Sequence, residues 1–280
     1  MNILTVVLDC IKETLRDGIR MNTIDIKTKT DGKCRLYPDN PYGIAPSVTS
    51  ITQVLHKGGL LQWASDCAVE RLVATCKVDE EHAKEARYAY KELSDTAADF
   101  GTQAHLLCQL YLEKRMDEFN AELLKSDDKA KVLIDSFIEW ADKNKIEPVS
   151  TEIVLHTKMY SGRCDLVAYR TDPKTGDKVL GLYDIKTGKG TYYPEWGLQL
   201  AAYAYAWDEQ VGAKTDESIE EIGIIKLNKD TLKCNFSEQS KPKFTAERER
   251  LSKAFAVLAS FYWLYNDIEN QIKEIENEPD

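Results

Sequence analysis

Between residues 127 and 143, apolar side chains recur at Val132, Ile134, Phe137, Ile138 and Trp140, a spacing of three to four that predicts an amphipathic helix. A helical period also runs from 80 to 116, where Gly101 is the expected break, and from 60 to 76. Before these, Ser47 or Thr49 is positioned to cap a short helix through Leu55, which Gly58-Gly59 should end. Residues 1–20 read as a short amphipathic helix. Residues 23–29 alternate, Thr30-Asp31-Gly32 offers a turn, and 33–37 would return as a hairpin, with 41–46 as loop. Past residue 148 the period becomes two. Residues 149–157, 162–170 and 178–186 are strand-like, with a turn over 172–177. Helical spacing resumes over 194–207, strands are predicted over 219–227 and 232–236, and a long helix spans 245–275.

This pattern predicts a mainly helical part, 1–145, ahead of a strand-rich core, 146–280, integrated as one α/β domain. A chain of 280 residues with 43% hydrophobic content can bury a sizeable core and is not a disordered composition. The net charge of −10 excludes a protein that coats nucleic acid by bulk electrostatics and confines any such contact to a local groove. The acidic C-terminal stretch, Asp267, Glu269, Glu274, Glu276, Glu278 and Asp280 against Lys273, reads as a solvated helix end. Seven scattered cysteines with no C-x-x-C pair read as reduced thiols and argue against zinc or iron–sulfur ligation. The N-terminus lacks a cationic signal-peptide region, and no run approaches the roughly 18 apolar residues of a membrane span. The expectation is a cytoplasmic protein with no membrane partner.

Chemistry concentrates in the strand-like part. Asp184-Ile185-Lys186 ends the apolar run Val179-Leu180-Gly181-Leu182-Tyr183, and Asp165 enters the apolar strand Gly162-Arg163-Cys164-Asp165-Leu166-Val167. Alternation puts Asp184 and Lys186 on one side of the strand and Ile185 on the other. Two carboxylates on adjacent strands can hold a divalent cation, and a nearby ammonium suits attack by water on a phosphodiester. D-x-K alone is a weak signal, and its neighbours give it weight.

Four motifs stand in chain order: Gly101-Thr102-Gln103-Ala104-His105, Gly162-Arg163-Cys164-Asp165, Asp184-Ile185-Lys186-Thr187-Gly188 and Gln199-Leu200-Ala201-Ala202-Tyr203. Together they resemble the PD-(D/E)XK nuclease superfamily, in its RecB-type branch of phage and mitochondrial-type exonucleases. Pro46-Ser47-Val48-Thr49-Ser50-Ile51 and Leu61-Gln62-Trp63-Ala64 are similar to the N-terminal region of phage members. The resemblance implies a restriction-endonuclease-like core, with a mixed central sheet flanked by helices and a helical N-terminal elaboration. It implies a metal-dependent deoxyribonuclease, an exonuclease acting on DNA with a free or single-stranded end in recombination, repair or phage replication. A recombination or single-strand-binding protein would be its partner. The competing readings are a structure-selective endonuclease with the same site and a non-catalytic DNA-binding or assembly module.

Carried over residue by residue, His105, Asp165, Asp184 and the Ile185 carbonyl are the implied metal ligands, and Lys186 is the implied catalytic lysine. Glu152 has a supporting catalytic role. Gln199 and Tyr203 hold DNA or the geometry of the site. Hard carboxylates with one imidazole suit Mg²⁺ or Mn²⁺, as one or two ions. The cysteines that hold an iron–sulfur cluster in some RecB-type members have no match here. Arg163 and Lys189 are candidate DNA contacts, with Lys57, Lys158, Tyr192, Tyr193 and Trp196 flanking and Lys241, Lys243, Arg248 and Arg250 as a late basic cluster. Arg163 is read as facing away from Asp165.

Overall fold

A computed structural model describes residues 35–55, 58–76, 79–188, 192–239 and 243–276, with side chains of the last helix described through Asp267. The helix read over 1–20 and the strand over 23–29 lie outside these residues. In chain order the elements are β1 (Leu36–Tyr37), β2 (Ala45–Pro46), α1 (Val48–Thr52), α2 (Gly58–Thr75), α3 (Glu80–Ala86), α4 (Ala89–Leu112), α5 (Met116–Lys125) and α6 (Asp128–Lys143). There follow β3 (Glu147–His156), β4 (Ser161–Thr171), β5 (Lys178–Gly188), α7 (Pro194–Trp207), β6 (Glu221–Asn228), β7 (Lys233–Phe236) and α8 (Arg248–Glu276).

Local chemistry sets most of the boundaries. Ser47 caps α1, its hydroxyl accepting from Ser50 N at 2.9 Å. Asp127 caps α6, accepting from Ala130 N at 2.7 Å. Pro194 opens α7, where its missing N–H costs nothing. Three expectations change. β1 pairs with β2, so the partner of Leu36–Tyr37 lies within the segment read as loop. The helix read from residue 60 starts two residues earlier, at the Gly58-Gly59 pair read as a break. The break expected at Gly101 falls instead at Arg87 and Tyr88, and α4 runs unbroken through Gly101. A Cβ at Gly101 would stand 3.1 Å from Thr187 Oγ1, so this glycine lets α4 press against the end of β5. The separate helix α5 is an addition to the sequence reading.

The strands form one five-stranded sheet in the order β3-β4-β5-β6-β7, antiparallel except for the parallel pair β5–β6. A parallel pair needs a crossover, and α7 supplies it. Alternation then separates two apolar layers. On one face Leu180, Leu182, Ile222 and Ile224 meet Leu200, Ala201 and Ala204 of α7, with Phe255 and Ala259 of α8. On the other, Tyr183, Ile185, Ile225 and Leu227 meet Leu107 and Cys108 of α4 and Leu133, Ile134 and Phe137 of α6. Each large side chain fully buried here, such as Phe137, contributes roughly 1.5–3 kcal/mol. At one end of the sheet Arg170 closes a buried network, bonding both oxygens of Glu221 at 2.6 and 2.7 Å while Tyr183 Oη donates to Glu221 at 2.8 Å. Among the described residues no helix is long and apolar enough to cross a membrane.

Candidate active site

The sheet opens at one point. The β4–β5 ladder ends at the pair Leu166↔Tyr183, one residue short of Asp165 and Asp184, whereas β5 continues against β6 through Gly188↔Asn228. Both acids therefore lie at a fork where β4 leaves β5. Asp165 replaces the lost ladder bond with its side chain, Oδ2 accepting from Ile185 N at 2.7 Å.

Asp184 is 2% exposed, and one side chain on each flank holds it. Its Oδ2 contacts Lys186 Nζ at 2.6 Å, an ion pair without an aligned hydrogen bond. Its Oδ1 accepts from Gln199 Nε2 at 3.0 Å, and Lys186 Nζ donates to Gln199 Oε1 at 3.1 Å. Gln199 Nε2 also reaches Tyr203 Oη at 3.2 Å, one helical turn further along α7. A Cβ at Gly162 would come within 2.3 Å of Tyr203 Cε1, so the glycine of the G-R-C-D run makes room for this ring. Of the two roles implied for Gln199 and Tyr203, these buried contacts fit holding the geometry of the acid and the lysine.

On the other side of the fork, donor atoms of His105, Glu152 and Asp165 lie within 4.8 Å of one another. His105 arrives on α4, its Nδ1 3.5 Å from Asp165 Oδ2. Glu152 comes from mid-β3, where it holds a left-handed backbone at φ +49°. Such a conformation costs a non-glycine residue about 1–3 kcal/mol and persists only where its surroundings enforce it. Beside it Thr151 donates its hydroxyl to Glu113, and Arg163 Nε lies 2.6 Å from Glu152 Oε2. Arg163 therefore faces the cluster, which corrects the expectation that it turns away. Residues two apart on a strand share a face.

The electrostatics follow from crowding charge in a buried place. Burial lifts the Asp165 carboxyl well above the usual carboxylate range, the Asp184 charge adds to the rise, and Lys186 opposes it. Burial also raises Glu152, with Arg163 pulling the other way. His105 is lowered by burial against the charge of Asp184, and it hydrogen-bonds to the Ile185 backbone. Burial would depress Lys186, but Asp184 and Asp165 outweigh it and hold the ammonium above its ordinary value. Carboxylates that resist ionisation alone, gathered with one imidazole, form a donor set that fits a hard divalent cation. His105, Glu152 and Asp165 are the residues whose donor atoms are gathered closely enough to hold it. Asp184 faces the same fork but is tied to Lys186 and Gln199.

Other candidates separate. Lys57, Lys189 and Lys241 lie outside the described residues. Lys158 is exposed, as is Tyr193, at 48%. Tyr192 and Trp196 instead cover Lys226, whose Nζ stands 4.9 and 5.5 Å from their ring centres. Lys226 is the register partner of Lys186 on β6, a buried lysine that the sequence reading passed over. Its place in an apolar strand, I-I-K-L, was the available signal. Arg248 is engaged by Asp208 and Arg250 by Glu247, so half of the late basic cluster is internally paired. A family model described as the PD-(D/E)XK nuclease superfamily matches residues 67–278, which include the whole fork. No curated protein matches the chain.

Proposed function

The chain belongs to the PD-(D/E)XK nuclease superfamily, and on that premise we propose that it is a RecB-type deoxyribonuclease that uses Mg²⁺ or Mn²⁺ and digests DNA from a free end. The observation that carries this reading is the fork, where a buried acid–lysine pair on β5 faces three clustered donors from α4, β3 and β4. His105, Asp165, Glu152 and the Ile185 carbonyl would hold the cation, with Asp184 as a further ligand. A bound divalent cation supplies a water of lowered pKa and offsets charge on the scissile phosphate.

The chain's own residues do the rest. Lys186, whose pKa is raised, stays an ammonium near neutrality and so acts as a donor. It orients the attacking water and stabilises charge building on the phosphate. Gln199 keeps Nζ and Asp184 in one geometry, so little reorganisation is needed as the reaction proceeds. Preference for ends is supported by the helical part, because α4 packs with α2 and then leads directly to His105. That part carries exposed Trp63, Tyr88 and Tyr90, aromatic side chains suited to stacking on unpaired bases. The setting would be recombination, repair or phage replication.

End-labelled linear single- and double-stranded DNA and closed circles, incubated with Mn²⁺, test the reading. Loss of label from linear forms is expected, with circles intact and Lys186→Ala slower by about 10²-fold or more. Efficient cutting of circles would establish an endonuclease instead. Complete inertness toward every DNA and RNA form, with Asp184→Ala binding DNA like the parent, would establish a non-catalytic module.

A further inference from the structure

Glu152 has two claims on it. One carboxylate oxygen lies 2.6 Å from Arg163 Nε, and the same side chain contributes to the donor cluster with His105 and Asp165. A guanidinium held against a ligand carboxylate reduces its donor strength and repels a dication brought to the same place. Arg163 is half exposed, whereas Glu152 is 23% exposed. The cation partner of this pair can therefore be reached from solvent and its acid much less so. The planar array of guanidinium donors is also well matched to phosphate, for which arginine is a preferred ligand.

Resting on the nuclease reading above, we propose that Arg163 is a substrate-positioning residue that receives a backbone phosphate of the bound strand and, in doing so, releases Glu152 to the divalent cation. Strand and cation then bind cooperatively through one shared carboxylate. Without a strand, Arg163 keeps the cluster a weaker cation site. With one, the guanidinium charge transfers to the phosphate and Glu152 completes the donor set. The left-handed backbone at Glu152 holds its carboxylate between the two partners, and the Thr151–Glu113 bond fixes the strand beside it.

Mn²⁺ titration of the full chain, read from the free-ion electron paramagnetic resonance signal, tests this without any turnover. Four proteins are compared: parent, Arg163→Ala, Glu152→Gln and the double variant. Arg163→Ala is expected to tighten Mn²⁺ about tenfold in the parent background and by less than about twofold beside Glu152→Gln. A phosphorothioate oligonucleotide is expected to tighten Mn²⁺ more for the parent than for Arg163→Ala. Equal tightening in both backgrounds would mean a through-space charge effect and overturn the proposal, as would no tightening at all. If neither the parent nor Arg163→Ala binds Mn²⁺, with or without the oligonucleotide, the metal-site reading itself falls, an outcome distinct from either.

Discussion

At the scale of single residues, the site is a contest between burial and charge. Lys186 keeps its proton because two carboxylates outweigh desolvation, which fits it to stabilise negative charge on a phosphate. Lys186→Ala is expected to lower kcat about 10²- to 10³-fold, measured under single turnover, with DNA binding largely retained. Asp165 behaves in the opposite sense. Its folded-state pKa lies above its ordinary value of 3.8, so the folded metal-free protein holds this proton more tightly than the unfolded chain. Its contribution is therefore most favourable at low pH and is lost as pH rises from about 4 through the raised pKa. In chelator, Asp165→Asn should gain melting temperature relative to the parent as pH rises from about 4 to 7. A constant difference across that range would refute the assignment. Gly162→Ala tests the packing beneath the site. The new methyl would meet the Tyr203 ring, and a loss of about 1–3 kcal/mol is expected by denaturant titration.

At the scale of elements, most boundaries were legible because they depend on neighbours in sequence. The α7 range, the turn over 172–177 and all five sheet strands followed from period and turn chemistry to within a few residues. Asp127, whose side chain accepts from Ala130 N, illustrates such a local device. Replacing it with alanine should cost about 0.5–2 kcal/mol, read by thermal denaturation, with the site chemistry unchanged. Misreadings occurred where a distant element decided the outcome. Gly101 resembles a helix breaker in isolation, yet Thr187 on β5 makes it a contact point inside a continuous helix. Leu36–Tyr37 found Ala45–Pro46 as a partner through a two-strand pairing that no local alternation marks.

At the scale of the whole molecule, the sheet and its two helical layers bring His105, Glu152, Asp165 and Asp184 from four elements to one fork. A cation bound only by the folded state should add stability that grows with the logarithm of its concentration, by about 2.7 kcal/mol at a hundredfold excess over Kd, and should raise the melting temperature accordingly. Parent protein should show this shift with Mn²⁺, and Asp165→Asn should show little of it. What the sequence by itself determined was which candidate residues lie together on one strand face or one helix face. An acid and a lysine two apart on a strand share a face by geometry, and Gln199 and Tyr203 share one by the helical period. Only the tertiary structure decided what those groups do to one another. Gln199 bonds the acid–lysine pair, Arg163 claims Glu152, and Lys226 lies buried beside Lys186, since each contact joins two different elements of the fold. Such contacts depend on where β4 parts from β5 and how closely α4 and α7 approach, and no local period records either distance.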